Sequence, residues 1–413
     1  MASRSVVIIL FFFSAFAQAS EYAFGGFATL SYSTASNQDI SFTRTLEHKD
    51  RFGGSLVRES LVGVQFNYKF NSKFETLVQF VAQDKIDKNL LSLTELAFIR
   101  YNVNRSLSFR IGRLNSGLYL TSNHRLVSHA YIWGRPPMEP YFVSSSVDKI
   151  DGGDVTYANT LGSGFFKANI SFGQSDAPLE NEQRGDFELG LRNTVAANIE
   201  YSQLDWIFRL SALRANLNVA KRGVFGDVID GIASIPPAFW PEQADIAENF
   251  LPDGLLLRYF AAGIKFENEK WLFMSEASTY LADWSFYPSA NAFYATVGRR
   301  MNSVTPFITV SAVKPKNDIE QLPFELNPAN PVGPAINQLI AATNIAVGIT
   351  AVDQESLSIG IRWDVNPRWV IKFQADRKWT DYPGVGLLRH RELAQTQERR
   401  QVNIGHISIS TVF

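Results

Sequence analysis

The sequence predicts an all-β chain whose sixteen antiparallel strands close into a transmembrane β-barrel. Three observations predict it: apolar and polar residues alternate with period two along most of the chain, every second connection is short, and aromatic rings bracket the short ones. The stretch LVGVQFNYKFNSKFETLVQF, residues 61–80, carries all three. Val62, Val64, Phe66, Tyr68 and Phe70 alternate with Gly63, Gln65, Asn67 and Lys69; Asn71, Ser72 and Lys73 turn the chain; Phe74, Thr76, Val78 and Phe80 resume the alternation. That is a hairpin with one greasy and one polar face.

The amino terminus sets the compartment. Arg4, the apolar run VVIILFFFSAF, and Ala17 and Ala19 flanking Gln18 form a charged region, a short apolar core and an A-x-A cleavage site. The run is short for the roughly 20 residues of a spanning helix. Residues 1–19 are therefore expected to be a cleaved signal peptide, and 20–413 a single barrel domain. Beyond it every apolar run is soon broken by a polar residue, although 46% of residues are hydrophobic and 13% aromatic. Cysteine is absent, so neither disulfides nor thiolate metal sites contribute, and a formal charge of −1 argues against a polybasic nucleic-acid binder.

Strands are expected near 22–32, 58–70, 74–83, 93–102, 107–114, 151–160, 165–173, 188–201, 206–215 and 255–266. The others are expected near 271–281, 290–299, 305–313, 355–365, 369–379 and 401–413. Short turns fall at 71–73, 103–106, 161–164, 202–205, 267–270, 300–304 and 366–368. Long connections fall at 33–57, 115–150, 216–254, 314–354 and 380–400. Sorting short turns to one end and long loops to the other is the habit of a bacterial outer-membrane barrel, with turns periplasmic and loops extracellular; a soluble sandwich has no reason for it. Phe70 and Phe74, Tyr201 and Trp206, Phe266 and Trp271, and Trp363 and Trp369 flank turns, as an interfacial girdle would. Two of the long loops, 216–254 and 314–354, are apolar enough for short helices near Pro241 and Pro334.

The last strand ends VNIGHISISTVF, with Ile407, Ile409, Thr411 and Phe413 on one face. A signal peptide, sixteen strands and a terminal Phe together resemble the Gram-negative outer-membrane porins. That resemblance implies a water-filled channel for passive diffusion of small hydrophilic solutes and ions. It also implies a homotrimer in a bilayer with lipopolysaccharide, and Phe413 as the signal read by the barrel-assembly machinery. It further implies a third loop, 115–150, that folds inward as a constriction bearing Tyr131, Trp133, Arg135, Glu139, Asp148 and Asp151. Pro136 and Pro137 would stiffen that loop. The Pro-Glu-Phe-Gly-Gly run common in general porins is absent from it.

Parity assigns the lumen. Opposite the apolar faces lie Arg100, Arg110, Lys167, Arg192, Arg209, Lys265, Arg362, Lys372 and Lys378, with Glu75, Glu200, Glu276, Asp364 and Asp376 as their acidic counterparts. Bases outnumber acids, so a mild anion preference is expected, sharpened if Glu139 and Asp148 face the wall arginines. Two rival readings are a substrate-specific channel with Tyr119, Tyr131, Trp133 and Tyr141 as a binding track, and an outer-membrane enzyme. For an enzyme, His124, Ser128 and His129 lack a nucleophile elbow. Asp148, Asp151, Gly152, Gly153 and Asp154 lack the spacing of a calcium loop and fit turn and strand-start chemistry. No cofactor is expected.

Overall fold

A computed structural model of the chain describes residues 21–42, 48–85, 89–141, 148–181, 185–249, 253–283, 289–316, 321–324, 330–350, 352–381, 387–390 and 400–413. The expected signal peptide lies outside them. Strands run β1 Tyr22–Ala35, β2 Ile40–Phe42, β3 Leu61–Lys69, β4 Phe74–Gln83, β5 Thr94–Asn102, β6 Leu107–Asn115, β7 Lys149–Leu161, β8 Gly164–Asn181 and β9 Gly185–Gln203. They continue with β10 Trp206–Arg222, β11 Asp253–Glu267, β12 Trp271–Ala282, β13 Ala290–Arg299, β14 Val304–Pro315, β15 Gln354–Asn366, β16 Trp369–Thr380, β17 Leu388–His390 and β18 Arg400–Val412. Sixteen of them form a closed antiparallel barrel in chain order, while β2 and β17 pair separately as a two-stranded sheet. No described helix is long and apolar enough to cross a membrane.

Closure satisfies the backbone at both ends of the chain. β1 pairs with β18 from Phe27 opposite Val412 to Ala35 opposite Ile404. Past the strand end, Gly26 and Phe413 exchange N–H···O bonds of 2.8 and 3.0 Å. In hydrocarbon an unpaired edge is costly, so an apolar-faced sheet with no other cover must close.

Among the short turns, four share a device. Asn71, Asn104, Asn268 and Asn366 each accept two backbone N–H bonds of 2.8–3.0 Å from the residues two and three positions on. An Asn side chain can imitate a backbone turn in this way, which caps the hairpin without a glycine. Rings flank these turns on the outer face: Phe70, Phe74, Trp206, Trp271, Trp363 and Trp369 are all exposed, and Trp206 packs on Phe266 at 4.6 Å.

The expected strands are all present, but β8, β9 and β10 run well past their expected loop-side ends. The extension of β8 is mostly polar, with Gln174, Ser175, Asp176, Glu180 and Asn181, whereas β10 keeps alternating through Asn216, Leu217, Asn218 and Val219, with Leu217 in the core. Above the barrel, α1 (Leu90–Leu93) is a single turn. The two apolar loops hold α2 (Gly223–Ser234), α3 (Gln243–Asn249) and α4 (Gly333–Thr350). These last three pack on one another through Ile229, Ile232, Trp240, Ala247, Ile336 and Ile340.

Candidate functional site

The inner face is the one opposite the exposed rings, and its two halves differ. Along β4 to β10 it carries charged side chains, most of them partly solvated, with Asp154 and Arg209 buried. Along β10 to β16 it is buried beneath the third loop.

On the solvated half, cross-strand register places the charges. Glu75 stands opposite Arg100, Arg100 opposite Arg110, and Arg110 opposite Asp154. Lys167 stands opposite Glu200, and Glu200 opposite Arg209. Each neighbouring acid and base approaches closely enough to pair: Glu75 with Arg100, Arg110 with Asp154, and Glu200 with Arg209. Asn169 donates to Asp154 at 3.0 Å. Lys265 pairs with Glu267, and Arg362 with Asp364 at 2.6 Å, nearer the turns. Exposure is uneven: 35% of Arg100, 23% of Glu75, 19% of Arg110 and 22% of Glu200 is accessible, whereas Asp154 is at 0% and Arg209 at 6%, the latter donating to the Tyr119 carbonyl of the third loop.

The third loop leaves β6, crosses the interior and fastens to the far wall. Trp133 donates its indole N–H to Thr296 of β13 and Thr309 of β14, both at 3.0 Å. Arg135 exchanges backbone bonds with the amide of Gln374 on β16, at 3.1 and 2.8 Å. Lys372, on the same strand, donates to the carbonyls of Ser128, Tyr131 and Trp133; Arg362 reaches those of His129 and Tyr131 at 2.8 and 2.9 Å. Glu276 of β12 accepts from Leu120 N at 2.7 Å, from Tyr294 at 2.9 Å, and from Tyr141. Around these polar anchors Leu118, Tyr119, Tyr131, Ile132, Trp133 and Tyr141 form one apolar core with the inward residues of β9 to β15. The wall opposite the charged strands is thus a packed interior and not a polar surface.

Burial settles where the loop charges go. Glu139 is fully buried. It accepts from Lys378 at 2.9 Å, Gln354 at 2.6 Å, Ser311 at 2.8 Å and from Ser356. Burial pushes its carboxyl up, but Lys378 and the hydroxyl of Ser356 outweigh it and hold the group at about 2. Asp148 pairs with Arg125 and accepts from the Tyr119 hydroxyl at 2.6 Å. Arg135 pairs with Glu59 at 3.0 Å and stacks over Phe42. The expectation that Glu139 and Asp148 confront the wall arginines is therefore corrected: each is already neutralised by a cation next to it. Tyr119, Tyr131, Trp133 and Tyr141 are likewise committed to the core, at 1%, 4%, 0% and 4% exposure, so they offer no track to a solute. His124, beside Lys265 and Arg209, is held down at about 4, by burial first and those cations second.

Four expected lumen or loop residues sit elsewhere. Lys372 and Glu276 do point inward, but both are buried under the loop. Arg192 points outward. Two residues of β10, Arg214 and Asn216, face three of β9, Val195 back to Arg192, and Asn193 takes a positive φ of 50°. This bulge inserts one residue and flips parity beyond it, so Leu191 joins the core and Arg192 pairs outside with Asp176 at 2.6 Å. Asp151 belongs to β7 and not to the loop; it lies opposite Arg113, on the face of Val155 and Tyr157, and pairs with it at 2.6 Å. Asp148, Asp151 and Asp154 each have their own arginine. Asp154 is a further inward-facing acid that the expectation omitted, although its parity is opposite to that of Val155 and Tyr157 on β7.

No protein-family model matches this sequence, and neither does any curated protein sequence. Solved structures do match its fold. The outer-membrane channel DcaP of Acinetobacter baumannii aligns over 96% of this chain and 99% of its own, at 10% identity and a TM-score of 0.55. An anion-selective porin from Comamonas acidovorans aligns over 95% and 99%, at 10% identity and 0.52. OmpT of Vibrio cholerae, in a trimer form, aligns over 95% and 99%, at 11% identity and 0.50. The chain has the closed sixteen-stranded fold of the outer-membrane porins.

Proposed function

We propose that this protein is an outer-membrane channel that passes small hydrophilic solutes and ions by passive diffusion, with a mild preference for anions. The observation that carries this reading is the solvated half of the inner wall. Arg100, Arg110 and Lys167 stand there against Glu75 and Glu200, with buried Asp154 and Arg209 as their paired neighbours, while the acids of the third loop are spent on Lys378 and Arg125. A barrel of this size is too wide for its own side chains to fill, and a loop packed against one wall leaves the passage along the other. Fixed charge beside a low-dielectric wall focuses its field on that passage. Tyr131, Trp133, Arg135 and Glu139 act through the loop they anchor and not by touching solute.

The chain is read as a trimer, in keeping with the trimer form of OmpT. It is exported through cleavage of residues 1–19 and inserted by the assembly machinery through its terminal Phe413. Planar-bilayer recording of the refolded mature chain under a salt gradient tests the function. Discrete steps with a reversal potential on the anion side are expected. Arg100→Glu with Arg110→Glu should move that potential toward cations; a folded barrel that never conducts would overturn the reading.

A further inference from the structure

Cations of the inner wall share one height. β6, β8, β10 and β16 rise from their turns at Leu107, Gly164, Trp206 and Trp369, and each carries a cation at its fourth residue: Arg110, Lys167, Arg209 and Lys372. β5 and β11 run down to their turns and carry Arg100 and Lys265 at the third residue from the end. At about 3.3 Å per residue along strands tilted by about 40°, such positions lie about 8 Å above the turns. Together they make a basic belt at the turn end of the barrel.

The belt is compensated almost throughout. Arg100 pairs with Glu75, Arg110 with Asp154, Arg209 with Glu200 and Lys265 with Glu267. On its own side the third loop comes down to the same level, where the Tyr119 carbonyl caps Arg209 and those of Ser128, Tyr131 and Trp133 cap Lys372. Lys167 differs. It stands between Ala158 and Glu200 in the register, but Glu200 is turned to Arg209 at 3.0 Å. Its partly exposed side chain makes no hydrogen bond or ion pair among the described residues. Beyond Glu200, the charges that act on it most are the cations Arg110, Arg209 and Arg100. Lys69 also faces inward, but it ends β3 in the exposed mouth, where water and salt screen it.

We propose that Lys167 sets the ion selectivity of this barrel: a permeating small anion pairs in passing with its ammonium, at the turn-side belt and not at the third loop. The loop's own charges are unavailable, since Glu139, Asp148 and Arg135 are each spent on a neighbour. An ammonium on a flexible stem is a strongly hydrated point charge, so it attracts an anion without the bidentate grip of a guanidinium. Conduction requires that balance, with binding strong enough to admit an ion and weak enough to release it. Lys167 can act in this way only if the barrel is the diffusion channel proposed above.

The chain contains no cysteine, so Lys167→Cys gives the mature protein a single thiol whose charge can be changed after folding. In planar bilayers under a potassium chloride gradient, the anion-to-cation permeability ratio is expected to fall about twofold or more in this variant. A methanethiosulfonate bearing trimethylammonium should restore the ratio in the same channel, and one bearing sulfonate should lower it further. Both should react faster from the turn side than from the loop side. The wild type, which has no thiol, should ignore both reagents, and Lys69→Cys should shift the ratio far less. An unchanged ratio in Lys167→Cys, or an equal shift in Lys69→Cys, would overturn the assignment and leave the channel reading intact. A folded barrel that never conducts would overturn both.

Discussion

At the scale of single residues, charge placement follows from which side chains the third loop covers. His124 shows it well. Its imidazole sits among Lys265 and Arg209 and is held at about 4 instead of its ordinary 6.5. Above pH 6.5 the ring is neutral whether the loop is docked or released, so pH has no effect there. Between pH 6.5 and 4 a released loop takes up a proton that the docked loop refuses, and docking loses up to about 3 kcal/mol. Single-channel current noise is therefore expected to rise as pH falls through that window, and His124→Asn should remove the change. Glu139 works the other way at lower pH. Its docked form stays ionised down to about 2, so its contribution is complete above about pH 4.5 and is lost only below it.

At the scale of elements, the third loop is shaped by its own turn hydrogen bonds, such as those of His124 N to Thr121 O and Val127 N to His124 O, and is fastened to the wall by side chains of the barrel. Lys372 and Arg362 cap its carbonyls, Gln374 pairs its backbone at Arg135, and Lys378 receives Glu139. Of these links the last is the most sensitive to removal of one partner, because it would leave an unpaired ammonium in a dry site. Glu139→Gln should cost the docked loop about 3–5 kcal/mol. Its expected signature is a larger and noisier single-channel conductance, with cleavage of the loop by added protease; unchanged conductance and protease resistance would show that Lys378 finds another acceptor. The bulge at Asn193 is the other informative element. One inserted residue carries Leu191 into the core and Arg192 to the outside, where it pairs with Asp176.

At the scale of the whole molecule, the barrel is completed by its two ends. Gly26 and Phe413 bond through their backbones, and a Cβ on Gly26 would stand 2.5 Å from the Phe413 ring. Glycine is needed here for close approach, not for turn geometry. Gly26→Val should therefore slow closure of β1 on β18 and lower the yield of heat-modifiable, folded barrel; a wild-type yield would show that the ring swings clear into lipid. The trimer proposed above draws on the exposed outer face, which carries Phe66, Ile111, Leu210, Phe260 and Ile359.

The sequence by itself determined the strand count, strand order and the sorting of short turns from long loops. Those features follow from local rules: period two exposes one face per strand, an unpaired edge is costly in lipid, and a turn needs only a few residues such as Asn71 or Asn366. It also placed Arg100, Arg110, Lys167 and Arg209 on the inner wall, where parity runs unbroken from the turns. Only the tertiary structure decided the rest. Parity does not reveal a bulge, so Arg192 changed sides. Composition does not say which partner a loop acid meets, so Glu139 and Asp148 turned out to be neutralised within the packed half. The apolar inner face of β12, with Leu272 and Met274 beside Glu276, is unreadable until the third loop lies on it. Strand pairing is specified by neighbours along the chain, whereas the content of the barrel depends on a loop finding side chains more than a hundred residues away.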